Sequence, residues 1–418
     1  YSAPDGIDET GGNVLVTVTD NARVTGDAIL GLGNDTLNIA GATFDGDVYG
    51  DDKIAASLDD GNDTFNWTGG TWRGAFYGQN GSDTAVVSAT EYDGSQILDG
   101  GDDASSADGW IDTLTLQGLT VKANGANIRN WEVVNFVNSV VNVDDLITEK
   151  VGVCGASATI GGASVIGAGG VLGCVSNDSV TITDDAVVNG PVEGAGGSDT
   201  IAILGHASVN GTVFGGGNGQ DGSAAADSGD TITIDTTGTV GAIDAGLGND
   251  TVTLNKGRVT AGIVTGSGDD AFTWSGGVTP SFNGGTGSDT AVVTAVEYDG
   301  TQLLDGGDDT SSADGFVDTL TLKGITVTAN GDKIVNWENV VVDSSTVSFA
   351  NNALTTGSDA GTGLAIVNGG IVDGGDTFTL TGNLNVGPTG TFQGLGGGNG
   401  VYAISGDVAN NGVLTTLD

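Results

Sequence analysis

Apolar and polar residues alternate with a period of two in short segments, most of which begin at an Asp-Thr pair. Residues 112–116 (DTLTL) and 250–254 (DTVTL) are examples. This period places alternate side chains on opposite faces of a β-strand. A helix is disfavoured, because glycine costs about 1 kcal/mol relative to alanine and Thr and Val are weak helix formers. The chain is therefore predicted to be all-β.

The Asp-led segments recur at a nearly fixed interval. Those at Asp230, Asp250, Asp270, Asp289 and Asp318 are separated by 20, 20, 19 and 29 residues, and glycine-rich turns precede them. Short strands at a fixed period with glycine at the corners are typical of a β-solenoid. We predict a right-handed parallel β-helix with about 20 residues per basic coil and longer excursion loops where the interval grows.

A longer repeat is superimposed on the coils. Residues 81–118 and 287–324 are identical at 30 of 38 positions, at a constant offset of 206. We therefore predict one continuous solenoid over residues 1–418, divided into a first module (24–150), central coils with a cysteine loop (151–238), a second module (239–350) and C-terminal coils (351–418).

Composition narrows the class of partner. The chain has 54 Asp and Glu against 10 Lys and Arg, a formal net charge of −44, and 77 glycines. Nucleic-acid binding is disfavoured, because there is no basic surface to neutralise phosphates. No apolar run approaches the ~20 residues that span a bilayer, so direct membrane insertion is not expected. With 38% hydrophobic residues the chain has enough apolar side chains to fold.

The two cysteines, Cys154 and Cys174, flank a stretch rich in Gly and Ala. They could be free thiols, a weak metal site or a disulfide. Zinc is disfavoured, because no set of Cys and His partners accompanies them. We expect a disulfide, and with it an oxidising compartment.

The glycine-aspartate corners admit two interpretations. They resemble calcium-binding nonapeptides, but they recur every ~20 residues rather than every nine. We favour a structural role, in which glycine supplies positive φ and Asp bonds local backbone amides. A sharper calcium hypothesis concerns a loop present in both modules, whose carboxylates could supply hard oxygen ligands: Asp99, Asp102, Asp103 and Asp108, and Asp305, Asp308, Asp309 and Asp314. We expect that the chain requires no cofactor, and Ca²⁺ remains a hypothesis.

No arrangement of residues predicts catalysis. His206 is the one histidine, no Gly-x-Ser-x-Gly motif occurs, and the four arginines are dispersed. We expect no enzyme and no catalytic residues. The tryptophan pairs Trp67/Trp274 and Trp131/Trp337 are expected in the core or its caps, whereas Trp72, which has no counterpart, is expected to be exposed.

Three features resemble the passenger domains of Gram-negative type V autotransporters. The pattern Asp-Gly-Gly-Asp-Asp, Asp-Thr-Leu-Thr-Leu and Asn-Trp-Glu occurs twice, ending at Val134 and near Val340. Residues 382–414 are similar to the coils that precede an autochaperone and translocator barrel. Extreme glycine content without Lys-rich or Met-rich segments also fits. The resemblance implies cell-surface or extracellular display through a C-terminal barrel absent from this sequence, and it suits a small disulfide loop.

We therefore expect a surface-exposed, non-enzymatic passenger acting in adhesion, self-association or host-cell contact. Its partners would be surface molecules of host or neighbouring cells, or further copies of itself. The alternatives are a calcium-stabilised structural protein of RTX-like or surface-layer type and, more remotely, a polysaccharide-active enzyme. Ice binding by Thr-x-Thr strands is a distant fourth, because the change from 20-residue to 29-residue intervals is expected to interrupt a rank of threonines.

Overall fold

The chain folds as a parallel β-solenoid. A computed structural model describes residues 7–8, 12–51, 61–101, 103–216, 227–394 and 401–416. The fold is all-β, with about 18 turns and about 21 residues per turn, which confirms the predicted fold class and coil length. The residues divide into two compact units, 1–211 and 212–418.

In the first unit, strands of successive turns pair in parallel and form columns. The main column contains Leu15–Thr19, Thr36–Phe44, Thr64–Trp72, Thr84–Val87, Thr113–Gln117, Val133–Val137, Ile147–Cys154, Val165–Cys174 and Val192–Ala195. A second column contains Thr120–Asn124, Val140–Asp144, Ser157–Gly161, Ser179–Ile182 and Thr200–Gly205. Two-residue strands form a third column: Ile7–Asp8, Ala28–Ile29, Val48–Tyr49, Phe76–Tyr77, Leu98–Asp99 and Ile128–Arg129. The remaining strands are Arg23–Val24, Val187–Val188 and Ser208–Gly216, the last of which contains the division point.

The second unit has the same construction. Its main column contains Thr231–Asp244, Thr251–Val259, Ala271–Trp274, Thr290–Val293, Thr319–Lys323, Asn339–Asp343, Gly363–Val367, Leu384–Val386 and Val408–Asn410. The other columns contain Ile263–Ser267, Ser281–Thr286, Leu303–Asp305 and Ile334–Val335; Thr326–Ala329, Thr346–Phe349, Ile371–Asp373, Thr391–Gly394 and Val413–Thr416; and Ala353–Thr355, Thr377–Thr381 and Val401–Ile404.

The core consists of inward side chains stacked in register. Leu37, Phe65, Ala85 and Leu114 occupy matched positions on four successive turns and are all buried. Fully burying a Leu or Phe side chain contributes about 1.5–3 kcal/mol. Each turn therefore depends on its neighbours to cover its apolar face.

The longer intervals leave the coil as loops and do not disturb the register. Thr84 pairs directly with Thr113, and Thr290 with Thr319, although each pair spans 29 residues. Short 3-10 turns lie in these loops at Ser106–Asp108 and Ser312–Asp314, and another lies at Gly331–Lys333. The predicted excursion loops are thus present in both modules.

Tryptophan side chains fill the interior. Trp72, predicted to be exposed, is only 1% exposed, so that prediction was wrong. It ends strand Thr64–Trp72 at an inward position. Its indole N–H donates to the Gly46 carbonyl at 3.1 Å, and its ring packs on Phe65 with ring centroids 4.8 Å apart. The core position predicted for the paired tryptophans is confirmed for Trp67, Trp131, Trp274 and Trp337.

Candidate functional site

The corner aspartates form a continuous column in the first unit. The backbone N–H of Asp35 donates to the carboxyl of Asp63 at 2.7 Å, and that of Asp63 donates to Asp83 at 2.7 Å. Asp83 donates in the same way to Asp112 at 2.7 Å, and Asp112 to Glu132 at 2.5 Å. All five carboxyl side chains are buried. Each carboxyl therefore joins its own turn to the turn before it.

The second unit repeats the column. Its five N–H···carboxyl bonds measure 2.6–2.9 Å and run through Asp230, Asp250, Asp270, Asp289, Asp318 and Glu338. In both units the last acceptor is the glutamate of an Asn-Trp-Glu sequence. We expected each Asp to bond local amides, but the acceptors serve amides 19 to 29 residues away. The regular recurrence of one Asp at each corner was the sequence signal for this column.

Burial makes these carboxyls hard to ionise. Desolvation is the main cause that raises the pKa of Asp63 to about 7 and that of Asp83 to about 9. The pKa of Asp83 is raised further by the charges of Asp112, Asp63 and Asp51, against the lowering effect of the Asp63 N–H. In the second unit the same desolvation raises the pKa of Asp250 and of Asp318 to about 8. Asp83, Asp250 and Asp318 are therefore mainly protonated at neutral pH.

Glycines pack directly against the column. A Cβ at Gly78 would overlap the Asp83 carboxyl and the Gly100 carbonyl, and a Cβ at Gly284 would overlap Asp289. Other corner glycines have the positive φ that we predicted. Gly248, for example, has φ +115°. Glycine is needed here both for backbone conformation and for room beside a buried acid.

The calcium hypothesis for the first module concerns Asp99, Asp102, Asp103 and Asp108. Asp99 is buried and accepts from Arg129 Nε at 2.7 Å and from Asn130 Nδ2 at 2.8 Å. Asp103 is exposed. Asp102 and the side chain of Asp108 lie outside the described residues. Asp99 is thus engaged by an ion pair with Arg129 and a hydrogen bond from Asn130.

In the second module, Val335 stands where the first has Arg129. Asp305 accepts from Asn336 Nδ2 at 2.8 Å and from the Gly307 N–H at 3.1 Å. Asp308, Asp309 and Asp314 are exposed, and each accepts a nearby backbone N–H. Across the described part of the chain, no three His, Cys, Asp or Glu side chains cluster so as to hold a metal ion. Calcium at these loops stays a prediction.

The same loops are fixed at two points. Ser106 donates from its N–H and hydroxyl to Glu149 at 3.1 and 2.8 Å, and Ser312 donates likewise to Asp359 at 3.0 Å each. On the other side the Ile111 N–H donates to the Ser82 hydroxyl at 2.9 Å. In the second module Val317 makes the same bond to Ser288 at 3.0 Å. Ile111, which makes the second anchor bond of the first loop, is 51% exposed, and Phe316, one residue before that anchor in the second loop, is 43% exposed. The two residues are not at equivalent positions of the repeat, since Phe316 corresponds to the half-buried Trp110.

Cys154 and Cys174 form the predicted disulfide, with a Cα–Cα distance of 5.2 Å. They lie at the ends of the paired strands Ile147–Cys154 and Val165–Cys174, one turn apart. The bond therefore joins neighbouring coils across the sheet.

His206 lies on the surface. Its Nδ1 is 3.3 Å from Asp185, and its side chain is 70% exposed. Arg23 and Arg73 both pair with Asp45, each at 2.6 Å. The absence of catalytic residues stays a prediction.

Outward threonines form ranks that the longer intervals do not interrupt. In the second unit Thr231 pairs with Thr251, and Thr290 with Thr319, on the outward face of the main column. A parallel rank contains Thr233, Thr253 and Thr273. Ala271 separates Thr251 from Thr290 in the first rank, and Val292 follows Thr273 in the second. The expectation that longer intervals would break a threonine rank was therefore wrong, because the extra residues leave the coil as loops.

No helix in the described residues has the length and hydropathy to cross a membrane. No protein-family model matches the chain, and neither a curated protein nor a solved structure does.

Proposed function

We propose that this chain is the surface-exposed, non-enzymatic passenger of a Gram-negative type V autotransporter, acting in adhesion, self-association or host-cell contact. The observation that carries the proposal is the pair of anchored loops, residues 103–111 and 306–317, which present the exposed apolar side chains Ile111 and Phe316. The parallel solenoid supports it, since it is the fold that the sequence resemblance implies.

These loops have the properties of contact surfaces. A loop that is hydrogen-bonded at both ends loses little further conformational entropy on binding. Exposed apolar side chains on ordered loops are typical of interaction sites. The loop occurs once in each compact unit, so either copy can bind a partner by itself.

Binding of the purified chain to epithelial cells, matrix proteins and immobilised copies of itself tests the proposal. The double variant Ile111→Ser/Phe316→Ser should lose most of the binding, and each single variant should lose part of it. Val140→Ser, which changes an exposed apolar residue outside the loops, is the matched control. Unchanged binding of the double variant would contradict the role of the loops.

Display at the cell surface has its own test. Antibodies against the chain should label intact cells that produce the natural full-length protein. Labelling that requires permeabilised cells would contradict the passenger assignment, whatever the binding assays give.

Ice binding is a second candidate, favoured by the short threonine ranks of the second unit, in which two or three threonines of successive turns lie in register. Matched residues of neighbouring turns are ~4.8 Å apart, and residues i and i+2 of one strand are ~6.7 Å apart. These spacings are close to repeats on the prism face of ice. Thr251 and Thr290 are exposed, and Thr253 is half-buried.

Thermal hysteresis and ice-crystal shape measure this activity. If the ranks bind ice, Thr251→Tyr should abolish the hysteresis, while Thr326→Tyr in another column should leave it intact. Crystals that grow as in buffer would remove this candidate.

A further inference from the structure

The first module contains a cavity of about 560 Å³ whose lining includes Asp47, Arg73, Tyr77, Glu91, Asp93 and Gln96. One wall of the cavity is the end of strand Thr64–Trp72 and the residues that follow it, and the other wall is the loop 91–97. Its size is within the usual range for small-molecule sites. None of the candidate calcium ligands or loop anchors lines it.

The polar groups of this cavity are mainly hydrogen-bond acceptors. Asp47, Glu91 and Asp93 are carboxylates, and two hydrogen bonds from Ser95 lower the pKa of Asp93, so that it stays ionised. The cationic Arg73 is already paired with Asp45 at 2.6 Å. A complementary ligand must therefore bring donors and positive charge.

One acceptor is buried without a donor. Gln96 Oε1 has no accessible surface and no hydrogen-bond partner. An unsatisfied buried polar atom costs about 1–3 kcal/mol, which a ligand donor would recover once the half-buried Gln96 side chain turns its amide oxygen toward the cavity. In the second module the equivalent amide, Gln302, accepts from the Asp299 N–H at 3.3 Å. The same side chain is thus satisfied in one module and unsatisfied in the other.

The second module has a corresponding but different cavity. It measures about 290 Å³ and is lined by Arg258, Thr279, Pro280, Thr301 and Gln302 among others. Among the described residues that line it, Arg258 is the charged one. The loop residues 91–97 (EYDGSQI) and 297–303 (EYDGTQL) are nearly the same, but Glu91 and Asp93 line the first cavity, whereas their counterparts Glu297 and Asp299 are not among the residues that line the second.

An aromatic surface completes the first cavity. Tyr77 is half-buried and its ring stacks on Tyr49 with centroids 5.1 Å apart. An aromatic face beside carboxylates attracts an ammonium group by both cation–π and ion-pair terms. We propose that this cavity binds a small molecule with a protonated primary amine and further donor groups, of the size of an amino sugar. This goes beyond the proposed contact function and does not depend on where the chain is displayed.

Titration calorimetry of the full chain near pH 6 tests the proposal with glucosamine, putrescine and neutral N-acetylglucosamine. We expect saturable 1:1 binding of glucosamine with a Kd on the order of 1 mM or tighter. Putrescine should bind too if the ammonium dominates, and more weakly if hydroxyl donors contribute. N-acetylglucosamine should bind at least tenfold more weakly. Equal binding of the neutral sugar, or no saturable binding of either amine, would overturn the proposal.

Matched variants locate the site. Gln96→Leu and Glu91→Gln should each weaken glucosamine binding about tenfold, the loss expected for one hydrogen bond to a charged group. Their counterparts Gln302→Leu and Glu297→Gln should bind as the parent does. Equal losses in both modules would place the binding elsewhere and overturn the assignment. Circular dichroism and melting temperature establish that all four variants fold.

Discussion

At the scale of single residues, the corner acids combine two opposing requirements. Each carboxyl must accept an amide hydrogen from the previous turn, and it must do so where water is excluded. Protonation resolves the conflict, because a neutral acid can keep its acceptor oxygen without the cost of a buried charge. Asp83, with Asp63 and Asp112 on either side, is the clearest case.

This arrangement predicts a protein that is more stable in mild acid. An unfolded Asp ionises near pH 4, whereas burial raises the pKa of Asp83 to about 9 and that of Asp318 to about 8. Between pH 4 and the raised pKa values, the folded chain holds protons that the unfolded chain has lost. The free energy of unfolding therefore falls as pH rises through this range. We expect the urea midpoint to fall between pH 6 and pH 9.

The double variant Asp83→Asn/Asp318→Asn is the control for that titration. Asparagine keeps an acceptor oxygen but has no proton to lose, so the midpoint should depend less on pH. Exposed carboxylates are already ionised above pH 6 and do not contribute. A midpoint that rises from pH 6 to pH 9 would show that the column is not protonated.

A glycine beside the column should tolerate no side chain. In Gly78→Ala the new methyl group would overlap the Asp83 carboxyl, and overpacking of this kind costs about 1–3 kcal/mol. Gly69→Ala is the control, since the nearest atom to its Cβ would lie 3.8 Å away. Urea unfolding measures both, and equal stabilities would contradict the packing argument.

At the scale of elements, stability comes from the pairing of neighbouring turns, and the disulfide reinforces one such pair. Cys154 and Cys174 enclose a loop with a sequence separation of 20. The chain-entropy account assigns about 3 kcal/mol to a loop of this length.

Reduction should therefore loosen the coils around strands Ile147–Cys154 and Val165–Cys174 first. We expect faster amide hydrogen exchange there in the variant Cys154→Ser/Cys174→Ser, with little change in strands Thr319–Lys323 and Asn339–Asp343. Dithiothreitol should have no effect on the exchange of this variant. If reduction of the parent leaves exchange unchanged, the bond does not stabilise these turns.

At the scale of the whole molecule, charge dominates. The formal net charge is −44 on 418 residues, and even with a few buried acids protonated the chain repels itself, while counter-ions reduce that repulsion. The cationic side chains of the ion pairs in the described residues are largely exposed, for example Lys256 with Asp235 and Lys323 with Asp343. They offset little of the negative charge.

Salt should therefore raise the melting temperature, with Mg²⁺ and Ca²⁺ equally effective at equal ionic strength. Differential scanning calorimetry after treatment with EDTA measures this. A rise specific to Ca²⁺, saturating at a fixed stoichiometry, would instead support bound calcium at the loops of Asp99 and Asp305. It would also favour the calcium-stabilised structural alternative.

Much of the fold could be predicted from local patterns. The alternation in segments such as 112–116 (DTLTL), the Gly-Asp corners and the ~20-residue interval were sufficient for a parallel solenoid, because each coil repeats the same local rule. Trp72 was misplaced because, without a repeat partner, its direction depends on a bulge within strand Thr64–Trp72. The cavity beside Arg73 was not predicted either, since it needs a wall and a loop that local patterns do not bring together.

The sequence by itself determined the strands, their period, the duplication and the acidic character, because these follow from residue spacing and composition. The tertiary structure decided what the corner aspartates contact, how the longer intervals leave the coil, and that Gln96 lacks a donor while Gln302 has one. Those facts depend on which residues lie one turn above or below, and stacking sets that distance only after the chain has folded.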